Sequence, residues 1–152
     1  METKYAHEMQ AGERYAPLRF TVTADLNQQF LFAVEDYNAI YLRGVDGRPP
    51  LVHPVLLMHM TPRTRSPSYR QAAGMGSAFA RDRSVYLRPA YQGTTFEVTW
   101  EVSQTYEQRD KIYQDYVAAV FDADGGLVLR RELSSTFFSL GKVKTFPKAA
   151  AS

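Results

Sequence analysis

Leu51-Val52-His53-Pro54-Val55-Leu56-Leu57-Met58-His59-Met60 is the longest apolar run in the chain, and its reading decides the fold. Pro54 suits the first position of a helix, where its fixed φ is already helical and its missing N–H would have had no partner. Pro62 stops the helix. A short helix that is apolar on nearly every face does not belong on a surface, so other parts of the chain must wrap it.

The downstream half supplies the wrapper. Ser77 to Leu87 reads as a strand of mixed face, and Arg88-Pro89 with Gly93 forms a turn. In Thr94 to Tyr106, Phe96, Val98, Trp100 and Val102 point one way while Thr95, Glu97, Thr99 and Glu101 point the other. Lys111 to Asp122 contains Tyr116-Val117-Ala118-Ala119-Val120-Phe121, apolar on both faces as in a central strand. Asp122-Ala123-Asp124-Gly125-Gly126 supplies the φ > 0 positions of a tight hairpin. It has the look of a calcium loop, but Leu127 to Arg131 lack the oxygens of the later ligand positions, so it is a turn. Leu127 to Phe138 is the last long strand.

Upstream, residues 1–15 carry mixed charge without periodicity and are expected to form a flexible arm. Pro17 to Val22 alternates and makes a short strand. Thr23 is a candidate N-cap with Asp25 in the first turn, followed by Leu26, Phe30, Ala33 and Val34 on one face of a helix of about three turns. Glu35-Asp36-Tyr37-Asn38 ends that helix, and Gly44, Asp46-Gly47 and Pro49-Pro50 mark an irregular path to the apolar helix. Residues 16–140 then form one domain and 141–152 a disordered tail. Helices first and an antiparallel meander after them make the class α+β. A long antiparallel sheet curled around one central apolar helix is the hot-dog fold.

Composition narrows the function. The chain has 152 residues, enough for one sizeable core. It has no Cys, which removes disulfides and thiolate chemistry and suits a reducing, cytoplasmic setting. Eighteen basic and 16 acidic residues leave a net charge of +2, with no electrostatic footprint for nucleic acid. No run approaches the ~18 to 20 apolar residues of a membrane span, so no membrane partner is expected. The 10 Tyr and 9 Phe fall mostly in strand-like segments and read as sheet packing.

Three stretches together resemble the MaoC-like dehydratases and hydratases, which act on acyl thioesters of coenzyme A or acyl carrier protein. They are Asp36-Tyr37-Asn38-Ala39-Ile40-Tyr41, the helix start Val52-His53-Pro54, and the Arg88-Pro89…Gly93 turn. The likeness runs from about Thr21 to Phe138. In that family the first stretch reads Asp-x-Asn-Pro-(aliphatic)-His and the helix start reads His-Gly. Hydration of an enoyl thioester needs a base to activate water, an acid for C2 and a donor to the enolate-like oxygen. The family's Asp and His share the proton work, and a backbone N–H at the helix start is the oxyanion donor.

Carried onto this chain, the resemblance implies Asp36 as base and Asn38 and Ile40 at their family positions. Tyr41 stands in place of the His: a poor base, with an ordinary pKa near ~10, but a competent hydrogen-bond donor or acid. Pro54 stands in place of the Gly and has no N–H to give. Val55 N–H, one position on, is the candidate replacement donor. His53 is either a loop-bonding residue or a substrate contact, and His59 reads as a core histidine. Arg63, Arg65 and Arg70 are either a solvated loop or a contact for phosphate or an acidic carrier at the tunnel mouth. His53 and His59 lack metal-binding spacing and His7 lies in the arm, so no metal and no cofactor are expected.

The resemblance implies a hydro-lyase working on a 3-hydroxyacyl or 2-enoyl thioester through an altered site. Its alternatives are a silent subunit paired with an active relative and a repurposed cyclase or isomerase. A homodimer, or a heterodimer with a related hot-dog subunit, is the implied assembly.

Overall fold

The computed structural model describes residues 4–142. Its frame is a five-stranded antiparallel sheet in the order β1-β3-β4-β5-β2. The strands are β1 (Arg14–Thr21), β2 (Met75–Tyr86), β3 (Thr95–Gln108), β4 (Lys111–Phe121) and β5 (Leu127–Ser139). Three short helices lie between β1 and β2: α1 (Ala24–Ala33), α2 (Ala39–Leu42) and α3 (Pro54–His59). The class is α+β, and the meander expected from alternation is present, with β4 in its middle.

The alternation of β3 has the expected consequence: Phe96, Val98, Trp100 and Val102 are buried. They meet Tyr116, Ala118 and Val120 from β4 and Leu129, Leu133 and Phe137 from β5 in one core. The other face of β4 is only half-buried, so the doubly apolar run marks the centre of the sheet without a second layer over it. Trp100 fills the middle, and its indole N–H donates to Thr61 O at 2.6 Å, the point where the chain leaves α3. Asp122 closes the β4–β5 hairpin, Oδ1 accepting from Asp124 N–H and Gly126 N–H at 3.1 and 2.8 Å.

A six-residue helix has no independent stability in water. Burial of Leu56 and Leu57, roughly 1.5–3 kcal/mol each, holds α3 to the sheet. Arg131 of β5 holds its far end: Nη1 donates to Met58 O at 3.1 Å and to Thr61 Oγ1 at 2.6 Å, while Nη2 pairs with Asp82 of β2 at 2.9 Å. Val55 and His59 are exposed, so the sheet wraps α3 on one side only, and His59 is not the core histidine expected.

Two further expectations are corrected. Residues 4–15 are packed rather than loose: Ala6 and Met9 are buried, and Gln114 Nε2 of β4 donates to Ala6 O at 2.7 Å. Tyr15 is buried as well, its hydroxyl donating to Gln114 Oε1 at 2.8 Å. The buried face of α1 is Asn27 and Leu31, while Leu26, Ala33 and Val34 are exposed and Phe30 is half-buried. The tail expected over 141–152 lies, from residue 143 on, outside the described residues.

Candidate active site

The site begins with a buried Asn. Thr23 caps α1, its Oγ1 accepting from Leu26 N–H at 3.2 Å, and this places Asn27 one turn in, facing the core. Asn27 Nδ2 donates to Tyr41 O at 3.3 Å and Leu51 O at 3.0 Å, and its Oδ1 accepts from His53 N–H at 3.2 Å. One fully buried amide therefore joins α1, α2 and the start of α3. The β2–β3 loop supports the same place, with Val52 N–H donating to Ala90 O at 2.8 Å and Gln92 N–H to Pro50 O at 2.9 Å.

This staple brings together two residues that are 17 apart in sequence. His53 Nε2 lies 3.2 Å from Asp36 Oδ2. His53 is also the N-cap of α3, Nδ1 accepting from Val55 N–H at 3.2 Å. A ring nitrogen that accepts carries no proton, so the proton of the neutral ring sits on Nε2 and is donated to Asp36. The second carboxylate oxygen, Oδ1, accepts from Asn38 N–H at 3.1 Å. Phe30 and Tyr41 flank the imidazole, with ring centres 5.2 and 5.0 Å away. The His53 side chain is 14% exposed and that of Asp36 35%, so the carboxylate reaches water while the imidazole is walled in.

Beside this pair is a cleft of about 340 Å³, lined by Tyr41, Val52, Pro54, Leu57, Tyr86 and Leu87 among others. Its walls are mainly apolar, and the phenol rings of Tyr41 and Tyr86 are two of its few polar contributors. Tyr86 donates to Pro54 O at 2.7 Å. Larger grooves on the outer face of the sheet are lined by arginine–carboxylate pairs such as Arg83–Glu132 and are more polar.

The remaining sequence candidates fall elsewhere or serve local structure. Asn38 Oδ1 caps α2 by accepting from Ile40 N–H at 3.1 Å. Val55 N–H, expected to face a substrate oxygen, is taken up by His53 Nδ1. Arg63, expected at a tunnel mouth, is 3% exposed, with its guanidinium carbon 4.8 and 4.9 Å from the ring centres of Tyr116 and Phe137. Arg65 Nε donates to His59 O at 2.7 Å, and Arg70 lies over the Tyr5 ring at 5.0 Å. Among the described residues no group of three or more His, Asp or Glu could hold a metal ion. Asn27 and Tyr86 carry the local geometry but left no pattern in the sequence to be read.

No family model and no curated protein matches the chain. Solved structures do. R-hydratase PhaJ1 from Pseudomonas aeruginosa aligns over 95% of this chain and 94% of its own, at 16% identity and a TM-score of 0.70. The C-terminally truncated HadBC complex from Mycobacterium tuberculosis, a 3R-hydroxyacyl-ACP dehydratase, aligns over 86% and 98%, at 13% identity and a TM-score of 0.71. The fluoroacetyl-CoA-specific thioesterase FlK aligns over 88% and 91%, at 16% identity and a TM-score of 0.59. With a five-stranded antiparallel sheet against α3 and these neighbours over most of their length, the chain has the hot-dog fold of the MaoC-like dehydratases and hydratases.

Proposed function

We propose that the chain is a MaoC-like hydro-lyase subunit that adds water to, or removes it from, an acyl thioester of coenzyme A or acyl carrier protein. The observation that carries this reading is the contact of Asp36 with His53 at 3.2 Å beside an apolar cleft. The family supplies its His five residues after the Asp, where this chain has Tyr41. Here an imidazole reaches the same carboxylate from the N-cap of α3. His53 fixes the orientation of Asp36, and Asn38 N–H holds the other oxygen. The carboxylate is left partly open to water, as a base that must activate a water molecule requires.

In the hydration direction Asp36 takes a proton from water as the oxygen bonds to C3 of the enoyl thioester. The C2–C3 π pair forms a C1–C2 double bond as the carbonyl pair moves onto the thioester oxygen, and the enolate that results collapses as C2 takes up the proton held by Asp36, directly or through Tyr41, which returns Asp36 to its carboxylate. One water is consumed and no oxidant, reductant or metal enters. Tyr41, next to His53 and on the cleft wall, is the hydrogen-bond donor or acid of this reading. Pairing of two hot-dog subunits along β2 is part of the same reading.

A second reading is favoured by two specific replacements. Pro54 has no N–H and Val55 N–H is engaged, so the first two positions of α3 offer no backbone donor to an oxyanion. A chain without that donor would be a silent partner to an active relative. Loss of enoyl absorbance on incubating the chain with crotonyl-CoA and longer enoyl-CoA substrates separates the two. The hydratase reading expects turnover that falls by about 10²- to 10⁴-fold in Asp36→Asn, which keeps an acceptor for His53 but has no base. Equal rates for both proteins, or no turnover by either, overturn it.

A further inference from the structure

We infer that the Tyr86 hydroxyl is the oxyanion donor of this site, in place of the backbone N–H that Pro54 and His53 have removed; the inference rests on the hydro-lyase reading above. Three observations converge on it. The first concerns the backbone. At the first two positions of α3, where the family pattern puts its donor, Pro54 has no N–H and Val55 N–H is bound to His53 Nδ1. The second is position. The Tyr86 hydroxyl lies 2.7 Å from Pro54 O, at the residue whose N–H is missing, and its ring lines the same cleft as Tyr41. The third is competition. Arg88, the charged side chain lining that cleft, is paired with Asp122 Oδ2 at 3.2 Å on the hairpin between β4 and β5. Tyr41 is the other phenol, and its work lies on the Asp36 side, against the His53 ring.

The chemistry suits a phenol. An oxyanion donor must hold its proton while negative charge grows opposite it, and a neutral hydroxyl in an apolar wall does this without itself ionising. Burial holds the Tyr86 hydroxyl above the usual tyrosine range, with the nearby Arg131 guanidinium acting against the shift and Asp82 for it. On binding, the hydroxyl hydrogen turns from Pro54 O to the thioester oxygen. Pro54 O lies in the first turn of α3, where the helix's own i to i+4 bond also serves it. Tyr86 comes from the edge strand β2, so the donor reaches the site from the sheet rather than from the helix.

The test uses the full chain with crotonyl-CoA labelled with ¹³C at the thioester carbonyl. Difference infrared spectra of the bound ligand are taken alongside steady-state kinetics for the unaltered protein, Tyr86→Phe and Tyr41→Phe. The carbonyl stretch is expected to move to lower frequency on binding to the unaltered protein and to Tyr41→Phe, and to lose that displacement in Tyr86→Phe. In Tyr86→Phe, kcat is expected to fall about 10²- to 10³-fold with KM changed only a few-fold. A merely structural hydroxyl would leave the carbonyl frequency where it is. Turnover by the unaltered protein with the shift to lower frequency retained in Tyr86→Phe, or with kcat unchanged in that variant, overturns the inference and leaves the hydro-lyase reading standing. No binding and no turnover by the unaltered protein overturns both.

Discussion

His53 performs two jobs with its two ring nitrogens, and a pair of substitutions separates them. Nδ1 caps α3 and Nε2 holds Asp36. Asn is among the best N-cap residues and its side-chain oxygen can accept from Val55 N–H, but it is too short to meet Asp36 as the imidazole does. Ala does neither. His53→Ala is therefore expected to lower stability by about 1 kcal/mol, and His53→Asn by only a few tenths, in urea denaturation. Both variants are expected to lose turnover alike, because both release the carboxylate. If His53→Asn keeps full turnover, the contact with Asp36 is incidental to function. If it loses as much stability as His53→Ala, the cap is not what His53 contributes to the fold.

At the scale of elements, α3 is held from outside itself. Its own six residues cannot sustain a helix, and Arg131 reaches across from β5 to the last carbonyls, where a cation is favoured. The Arg131 side chain is 6% exposed and that of Asp82 26%, so removing Arg131 strips a nearly buried contact set while Asp82 can turn to water. Arg131→Met is expected to cost about 3 kcal/mol, and Asp82→Asn clearly less, in the same denaturation assay. An equal cost for both would mean that the ion pair, rather than the hold on α3, carries the energy.

These same elements show what a sequence can reveal. The strands were legible because alternation with a buried face has a period that survives without knowledge of the neighbours, as Phe96 to Val102 demonstrate. The face of α1 was not. Its core position is a polar Asn whose burial is repaid by partners from three other segments, and a hydropathy pattern assigns that position to water. The packing of residues 4–15 was hidden for a related reason: it depends on Gln114, about a hundred residues away. Asp36 stood out in the sequence through its motif. Its meeting with His53 did not, since that depends on the Asn27 staple and on the β2–β3 loop behind it.

At the scale of the whole molecule, the sheet is unfinished. β2 has 12 residues, pairs with β5 on one side only, and has no partner strand on the other among the described residues. Along and just beyond it Phe79 is 61% exposed, Val85 40% and Leu87 53%. Long, apolar strand edges are usually blunted by charge or covered, and here Arg81 and Arg83 are turned to Asp115 and Glu132 on the sheet's outer face instead. A second hot-dog subunit would pair this edge and bury the apolar side chains beside it, and the HadBC neighbour of the same fold is itself a complex. Tyr86 lies on this strand, so pairing would also steady the hydroxyl that faces Pro54 O. The double substitution Phe79→Glu, Val85→Glu should therefore convert a two-subunit species to a single chain in sedimentation velocity while leaving the far-ultraviolet circular dichroism unchanged. Turnover should fall with it, recovering as protein concentration rises if residual pairing restores the site. A chain that sediments as a monomer before substitution, yet hydrates an enoyl thioester at the same rate at all concentrations, would show that the edge has no part in the site.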